Sequence, residues 1–140
     1  MKSKKALARQ VALVTGAAKR IGRSIALRLA KEGADVVINY ATSNAEAEEL
    51  ASEIQSLGRH AIALQADVSR RADVHRMIAA IDKEFGRLDI LVNNAGMFFE
   101  AKFEELTDGQ WDRIVVVLPP DTPEWAAVRD RLTRAAAGGR

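Results

Sequence analysis

Val11-Ala12-Leu13-Val14-Thr15-Gly16-Ala17-Ala18-Lys19-Arg20-Ile21-Gly22 reads as a buried strand, a tight turn and the opening of a helix. The first four residues are apolar without a break, as in a strand covered on both faces. A glycine directly after such a strand permits a sharp turn and lets a phosphate come close to the backbone. The helix that follows points unpaired N–H groups at that phosphate. From Ile21 the apolar residues recur at Ile25 and Leu29, one helical face, and Gly33 fits the C-cap. The spacing of the turn is not the G-x-G-x-x-G of the common dinucleotide fingerprint. Taken alone it also fits an ordinary strand-to-helix connection.

The same grammar repeats along the chain. Val36-Val37-Ile38 is a second strand, and Ser43 with Glu46 reads as a capping box opening a helix with Leu50, Ile54 and Leu57 on one side. Gly58 ends it. Residues 61–64 form a third strand. Ser69 caps a third helix with Val74, Ile78, Ile81 and Phe85 inward, closed by Gly86. Ile90-Leu91-Val92 is a fourth strand. Continuous apolar strands alternating with one-sided helices predict an α/β fold, a doubly wound parallel sheet with order 3-2-1-4 for the strands present. Ligands bind such sheets in the crevice between the first and fourth strands.

Two further turns lie on that edge. Asn93-Asn94-Ala95-Gly96 follows the fourth strand; its small residues let the backbone approach a ligand, and an Asn side chain there can bond neighbouring backbone. Asp67-Val68 follows the third strand.

The composition narrows the function. A chain of 140 residues, 48% of them apolar, allows one domain with a real core. Charge is nearly balanced, 21 Lys+Arg against 19 Asp+Glu, which argues against a nucleic-acid partner. The absence of cysteine excludes disulfides and thiolate metal sites and suits a cytoplasmic location. Lys2, Lys4 and Lys5 precede an apolar stretch in the order of a secretory signal. That stretch is short, contains Thr15 and Gly16, closes on Lys19 and Arg20, and has no A-x-A cleavage site. No apolar run approaches the ~20 residues of a membrane span. His60 and His75 have no partner motif and are not expected to bind metal. Trp111 and Trp125 read as hydrophobic anchors, and Phe98-Phe99 as loop packing.

Together the three turns resemble the short-chain dehydrogenase/reductase family. Thr15-Gly16 and Ile21-Gly22 match its T-G-x-x-x-G-x-G turn, N-N-A-G is intact at residues 93–96, and Asp67-Val68 stands where the family holds the adenine ring. The resemblance runs from about Gln10 to Arg113. It is nearest to 3-oxoacyl-[acyl-carrier-protein] reductases, and the T-G-A-A-K-R-I-G turn also resembles that of pteridine reductases. It implies a Rossmann-type fold, a dinucleotide cofactor, a small carbonyl substrate and hydride transfer. The expected cofactor-binding residues are Thr15, Gly16, Lys19, Arg20, Ile21, Gly22, Tyr40, Thr42, Ser43, Asp67, Val68, Asn94, Ala95 and Gly96. The cofactor is expected to be NADP(H) rather than NAD(H). An NAD site carries an acid about 20 residues beyond the glycine turn, and residues 39–43 contain none. Lys19 and Arg20 suit a 2′-phosphate, with Thr42 or Ser43 as hydrogen-bond donors.

There are departures. Arg20 replaces the middle glycine of the family turn. The family's catalytic Ser and Tyr-x-x-x-Lys pair lie beyond the matching part. Tyr40 is the single tyrosine here, on the adenosine side, and Val116-Val117-Leu118 stands where the family has an Asp-Val-Asn. No catalytic residue is therefore assigned. Residues 1–118 are expected to form an incomplete nucleotide-binding domain, truncated after about four strands. Thr107 can cap a helix through Trp111, although residues 114–118 equally suit a strand. All three prolines lie at 119, 120 and 123. Residues 119–140 are expected to be an atypical tail with one helix from Pro123, bearing Trp125, Val128 and Leu132. A truncation or frameshift fits its Ala/Arg-rich end; a genuine alternative terminus fits its sound capping. The rival to an oxidoreductase is a non-catalytic nucleotide-binding remnant or a fragment without function of its own. The fourth strand is expected to be a sheet edge, leaving apolar surface through which the chain can oligomerise.

Overall fold

The computed structural model describes residues 5–96, 103–105 and 107. The chain divides into two compact units, residues 1–96 and 97–140. In the second, Phe103–Glu105 form one 3₁₀ turn. The readings placed on residues 97–102, on the helix or strand through Trp111 and on the 119–140 tail fall outside the described residues.

The first unit alternates strands and helices as β1 (Val11–Val14), α1 (Arg20–Lys31), β2 (Asp35–Tyr40), α2 (Asn44–Ser56), β3 (Ala61–Gln65), α3 (Arg71–Phe85) and β4 (Ile90–Val92). All neighbouring strands pair in parallel, in the order β3-β2-β1-β4. This is the doubly wound arrangement that the alternation predicts, with β4 outermost among the described strands.

The two-residue period of the strands sorts their side chains between two cores. Val14, Val36 and Ile38 point to the face covered by α1 and α2, where they meet Ala26, Ala30, Leu50 and Ile54. Val11, Leu13 and Val37 point to the other face and meet Met77 and Ile81 of α3. All four residues of β1 are buried, as its unbroken apolar run requires.

The helices depart from their predicted faces. In α1 the buried residues are Gly22, Ala26 and Ala30, a stripe one position along from Ile21, Ile25 and Leu29. Ile25 and Leu29 flank the core half-buried, and Ile21 is 71% exposed. Small side chains at i, i+4 and i+8 let α1 lie close on the sheet. In α3, Ile81 is buried as expected and Val74 and Phe85 are half-buried, but Ile78 is exposed and Met77 takes its place. Leu57 lies past the end of α2 and is exposed. Leu91, in register with Leu13, is 54% exposed on the α3 side of the β4 edge.

The predicted caps are also replaced. Ser43 occupies the N-cap of α2, but its side chain makes no capping bond, and Glu46 pairs instead with Lys19 at the start of α1. Ser69 does not cap α3, whose N-cap is Arg70; the Ser69 hydroxyl donates to Asp67 Oδ1 at 2.6 Å. Gly33, Gly58 and Gly86 all take positive φ just beyond the helices they end, as the C-cap reading requires.

Candidate functional site

Parallel strands bring the three turns to one edge of the sheet, at the carboxyl ends of β1, β3 and β4. Thr15 is the knot between the first and third of these turns. Its buried hydroxyl donates to Val92 O at 3.3 Å and accepts from Asn94 N at 3.0 Å and Ala95 N at 2.9 Å. The Asn94 side chain closes the connection from the other direction. Its Nδ2 donates to Thr15 O at 3.0 Å and to Gly16 O at 3.1 Å. The N-N-A-G turn thus holds the glycine turn by its backbone oxygens.

Glycine is required here for two different reasons. Gly16 has a φ of +60°, and a Cβ on it would lie 2.9 Å from Ala95 Cα. Gly22 has an ordinary helical backbone, but a Cβ there would meet Asn94 Nδ2 at 2.5 Å, Gly16 O at 2.6 Å and Ala17 Cα at 2.9 Å. Arg20 has a left-handed backbone, with a φ of +54°. That costs about 1–2 kcal/mol for a residue with a Cβ.

These residues fit a dinucleotide's pyrophosphate. The first N–H groups of α1 have no intrahelical acceptor. The N-cap residue Lys19 supplies no side-chain cap, and no acid stands in the first turn. Acids do stand in the first turns of α2 and α3, Glu46 and Asp73. The positive end of the α1 dipole is therefore open to an anion.

Asn39 belongs to this assembly and escapes a reading by residue type. It is 1% exposed at the end of β2. Its Oδ1 accepts from Gly16 N at 3.2 Å, and its Nδ2 donates to Leu64 O at 3.4 Å and Ala66 O at 3.1 Å. One side chain thereby ties the glycine turn to the segment that leads into Asp67-Val68. The single sequence signal is an amide among apolar strand residues, where a buried polar group must find partners.

The β3–α3 turn is self-supporting. Asp67 N donates to the buried Asp73 at 3.0 Å, and Asp67 Oδ1 accepts from Ser69 N at 2.9 Å. The Ser69 hydroxyl, then its backbone N–H, hold the Asp67 carboxyl below its ordinary range. The Asp67 N–H, assisted by Arg76, does the same for Asp73. Val68 stands 41% exposed beside this turn, an apolar surface on the site's edge.

The β2–α2 turn carries Tyr40, Thr42 and Ser43. The Tyr40 hydroxyl donates to Asn44 Oδ1, and Asn44 N donates to Thr42 O at 3.0 Å. Lys19 reaches across from α1 and pairs with Glu46 at 2.9 Å. The Lys19 hydrogen bond holds the Glu46 carboxyl below its ordinary range. Arg20 is exposed and makes no ion pair among the described residues. Gly96 is exposed, and a Cβ on it would meet Asn94 O at 3.9 Å. Among the described residues there is no group of His, Asp and Glu arranged to hold a metal. His60 pairs with Glu84 at 3.0 Å, and its ring packs at a 47° tilt against Phe85, centroids 4.7 Å apart. No described helix is long and apolar enough to cross a membrane.

Known proteins are similar to this chain. The short chain dehydrogenase family profile matches residues 10–118. An uncharacterized oxidoreductase of Methylorubrum extorquens is 49% identical over 105 residues, 75% of this chain and 42% of that protein. A 3-oxoacyl-[acyl-carrier-protein] reductase of Staphylococcus aureus is 44% identical over 104 residues, 74% of this chain and 42% of that protein. Among solved structures, a short chain dehydrogenase from Burkholderia cenocepacia in complex with NADP superposes with a TM-score of 0.73 at 44% identity. That match covers 76% of this chain and 44% of the other. A dehydrogenase/reductase from Sinorhizobium meliloti superposes with a TM-score of 0.75 at 38% identity, covering 79% and 44%. The chain thus spans about two-fifths of the length of the curated relatives it matches. With its family profile, its parallel Rossmann-type sheet and the Thr15–Asn94 lock on its glycine turn, the chain belongs to the short chain dehydrogenase family.

Proposed function

We propose that residues 1–118 are the cofactor-binding portion of a cytoplasmic NADP(H)-dependent oxidoreductase acting on a small carbonyl or alcohol, with 119–140 as an atypical tail. The observation that carries the NADP(H) reading is the cationic rim of the glycine turn. Lys19 and Arg20 stand at the start of α1, and no acid occupies residues 39–43 to take a ribose 2′-hydroxyl. The NADP-bound relative at 44% identity supports it. When bound, the nicotinamide supplies the hydride. In this reading the open N–H groups of α1 hold the pyrophosphate, and Asp67 and Val68 flank the adenine. Lys19 and Arg20 face the 2′-phosphate, with Thr42 or Ser43 donating to it. Thr15, Asn39 and Asn94 keep these turns in place. With β4 outermost among the described strands and Leu91 exposed, this edge would offer a surface for self-association.

A second reading, a nucleotide-binding remnant that does not catalyse, is favoured by one observation. The single tyrosine, Tyr40, ends β2 and donates to Asn44, so it is committed to the adenosine side. A positioned proton donor is typically worth ~10²–10⁴-fold in such a reaction, and no Tyr-x-x-x-Lys is present to provide one.

Calorimetric titration with NADP⁺ and NAD⁺, paired with an NADPH-oxidation assay over ketones, acetoacetyl thioesters and pterins, tests both readings. The expected result is tighter binding of NADP⁺ with no turnover by the 140-residue chain. Equal or tighter binding of NAD⁺ would overturn the cofactor assignment. Turnover that is lost on changing Gly16 would overturn the assignment of catalysis to residues beyond these. No binding of either nucleotide would leave a fragment without function of its own.

A further inference from the structure

We propose that Glu46 is a specificity-determining residue, whose carboxylate competes with the adenosine 2′-phosphate for Lys19. The inference rests on the reading that Lys19 faces that phosphate. Its starting point is an ion pair between two turns of the site. Lys19 is the N-cap of α1, and Glu46 lies in the first turn of α2, directly after the Thr42-Ser43 segment. Their 2.9 Å contact therefore crosses from the glycine turn to the β2–α2 turn, the interval in which the phosphate is expected.

The pair is one rung of a ladder. Arg23, one helical turn along α1, meets Glu53 and, at 3.7 Å, Glu49 of α2. The Arg23 rung lies farther along both helices and ties them together without Lys19. The Lys19 rung stands at the sheet's functional edge, and both of its side chains are about half exposed, 55% and 43%. Neither is locked by burial, so the ammonium can exchange one anion for another. A nucleotide without the 2′-phosphate leaves the pair intact. A nucleotide with it must draw Lys19 away from Glu46 and then sits near a released carboxylate. Glu46 therefore narrows the preference for NADP(H) that Lys19 and Arg20 create.

The size of the effect follows from the exposure of the pair. Exposed ion pairs are weak, and their loss corresponds to no more than about a fivefold change in an equilibrium constant. Glu46→Gln keeps the side-chain shape and is expected to tighten NADP⁺ binding about three- to fivefold while NAD⁺ binding stays unchanged. The gain should shrink as salt is raised from about 0.05 to 0.5 M, since salt screens exposed charges.

The test measures dissociation constants of the 140-residue chain for NADP⁺, NAD⁺, 2′,5′-ADP and 5′-ADP. It compares the parent, Glu46→Gln, Glu48→Gln, Lys19→Gln and the Lys19/Glu46 double variant, each checked for folding by circular dichroism. Glu48 is an exposed acid on the same helix with no ion pair among the described residues, so its replacement controls for net charge. The proposal expects a gain confined to the 2′-phosphorylated ligands, absent in Glu48→Gln and absent when Lys19 is already gone. It is overturned if Glu46→Gln shifts all four ligands alike or none, or if Glu48→Gln reproduces the gain. A parent that binds NAD⁺ as well as NADP⁺ overturns instead the underlying cofactor reading. A parent that binds neither overturns both.

Discussion

Replacing Gly22 with alanine is expected to destabilise the fold by about 2–3 kcal/mol, at the upper end for overpacking a well-filled site, and to abolish dinucleotide binding. In most helices this exchange stabilises, because alanine is the better helix former by about 1 kcal/mol. Here the new methyl would lie 2.5 Å from Asn94 Nδ2, 2.6 Å from Gly16 O and 2.9 Å from Ala17 Cα. Two of those atoms are backbone of the glycine turn and cannot swing aside. The third is the amide that holds Thr15 O and Gly16 O. The site can accept the methyl only by lifting α1 from the turn or by expelling Asn94, and either move disperses the N–H groups that would meet the pyrophosphate. Gly58→Ala is the comparison. It has a φ of +77° but no atom within 4 Å of the added carbon, so it should lose about 1–2 kcal/mol from backbone strain and leave binding intact. Urea unfolding with parallel NADP⁺ titration measures both. A stabilised Gly22→Ala that still binds would mean that α1 does not lie this close to the turn.

Thr15→Val removes one hydroxyl at nearly constant shape, and the expected loss is about 1–3 kcal/mol. The hydroxyl accepts from the N–H groups of Asn94 and Ala95. Asn94 N also reaches Val92 O at 3.1 Å, so Ala95 N is the donor left without a protein acceptor. Ala95 is exposed, so water can take over its N–H, and the loss is that of the net hydrogen bonds given up, about 0.5–1.5 kcal/mol each, the bond to Val92 O included. Thr15→Ser keeps all three bonds and should recover most of the stability, losing only the methyl. Cofactor affinity should fall with Thr15→Val and return with Thr15→Ser, because the hydroxyl joins the two turns without itself facing the ligand. Unfolding midpoints that agree within about 0.5 kcal/mol for parent and Thr15→Val, the range of an indifferent surface change, would show that the knot carries no load.

The strands and their order were legible because burial on both faces leaves an unbroken apolar signature. Residues 11–14 and 36–38 carry it fully. Thr15, Gly16, Gly22 and Asn94 were legible for a related reason. A turn with no room for a Cβ, tied to its neighbour through one hydroxyl and one amide, tolerates few residue types, and these are among them. What stayed hidden depends on partners distant in sequence. Ser43 and Glu46 satisfy the local pattern of a capping box, yet Lys19, 27 positions earlier by the numbering, takes the Glu46 carboxylate. Ser69 looks like a cap but is claimed by Asp67, while Asp73 receives the Asp67 N–H. In α1, apolar periodicity pointed to Ile21, Ile25 and Leu29. The observed contact is made by Gly22, Ala26 and Ala30, because closeness to the sheet decides the face more than hydrophobicity does. Asn39 was noticed only for not being an acid. Its three bonds become visible once β2 lies between β1 and β3.

The central claim is that the carboxyl edge of this sheet binds a dinucleotide through the glycine turn. The most direct measurement follows the backbone amide resonances of isotope-labelled chain during titration with NADP⁺. The account predicts saturable shifts at Gly16, residues 19–22, Asp67, Val68 and Asn94, with the outer faces of α2 and α3 unmoved. NAD⁺ should perturb the same edge at higher concentration, with smaller shifts at Lys19 and Arg20. Shifts centred on Ile78 of α3 and on Leu88 in the segment after that helix, or no saturable shift at the glycine turn, would contradict it.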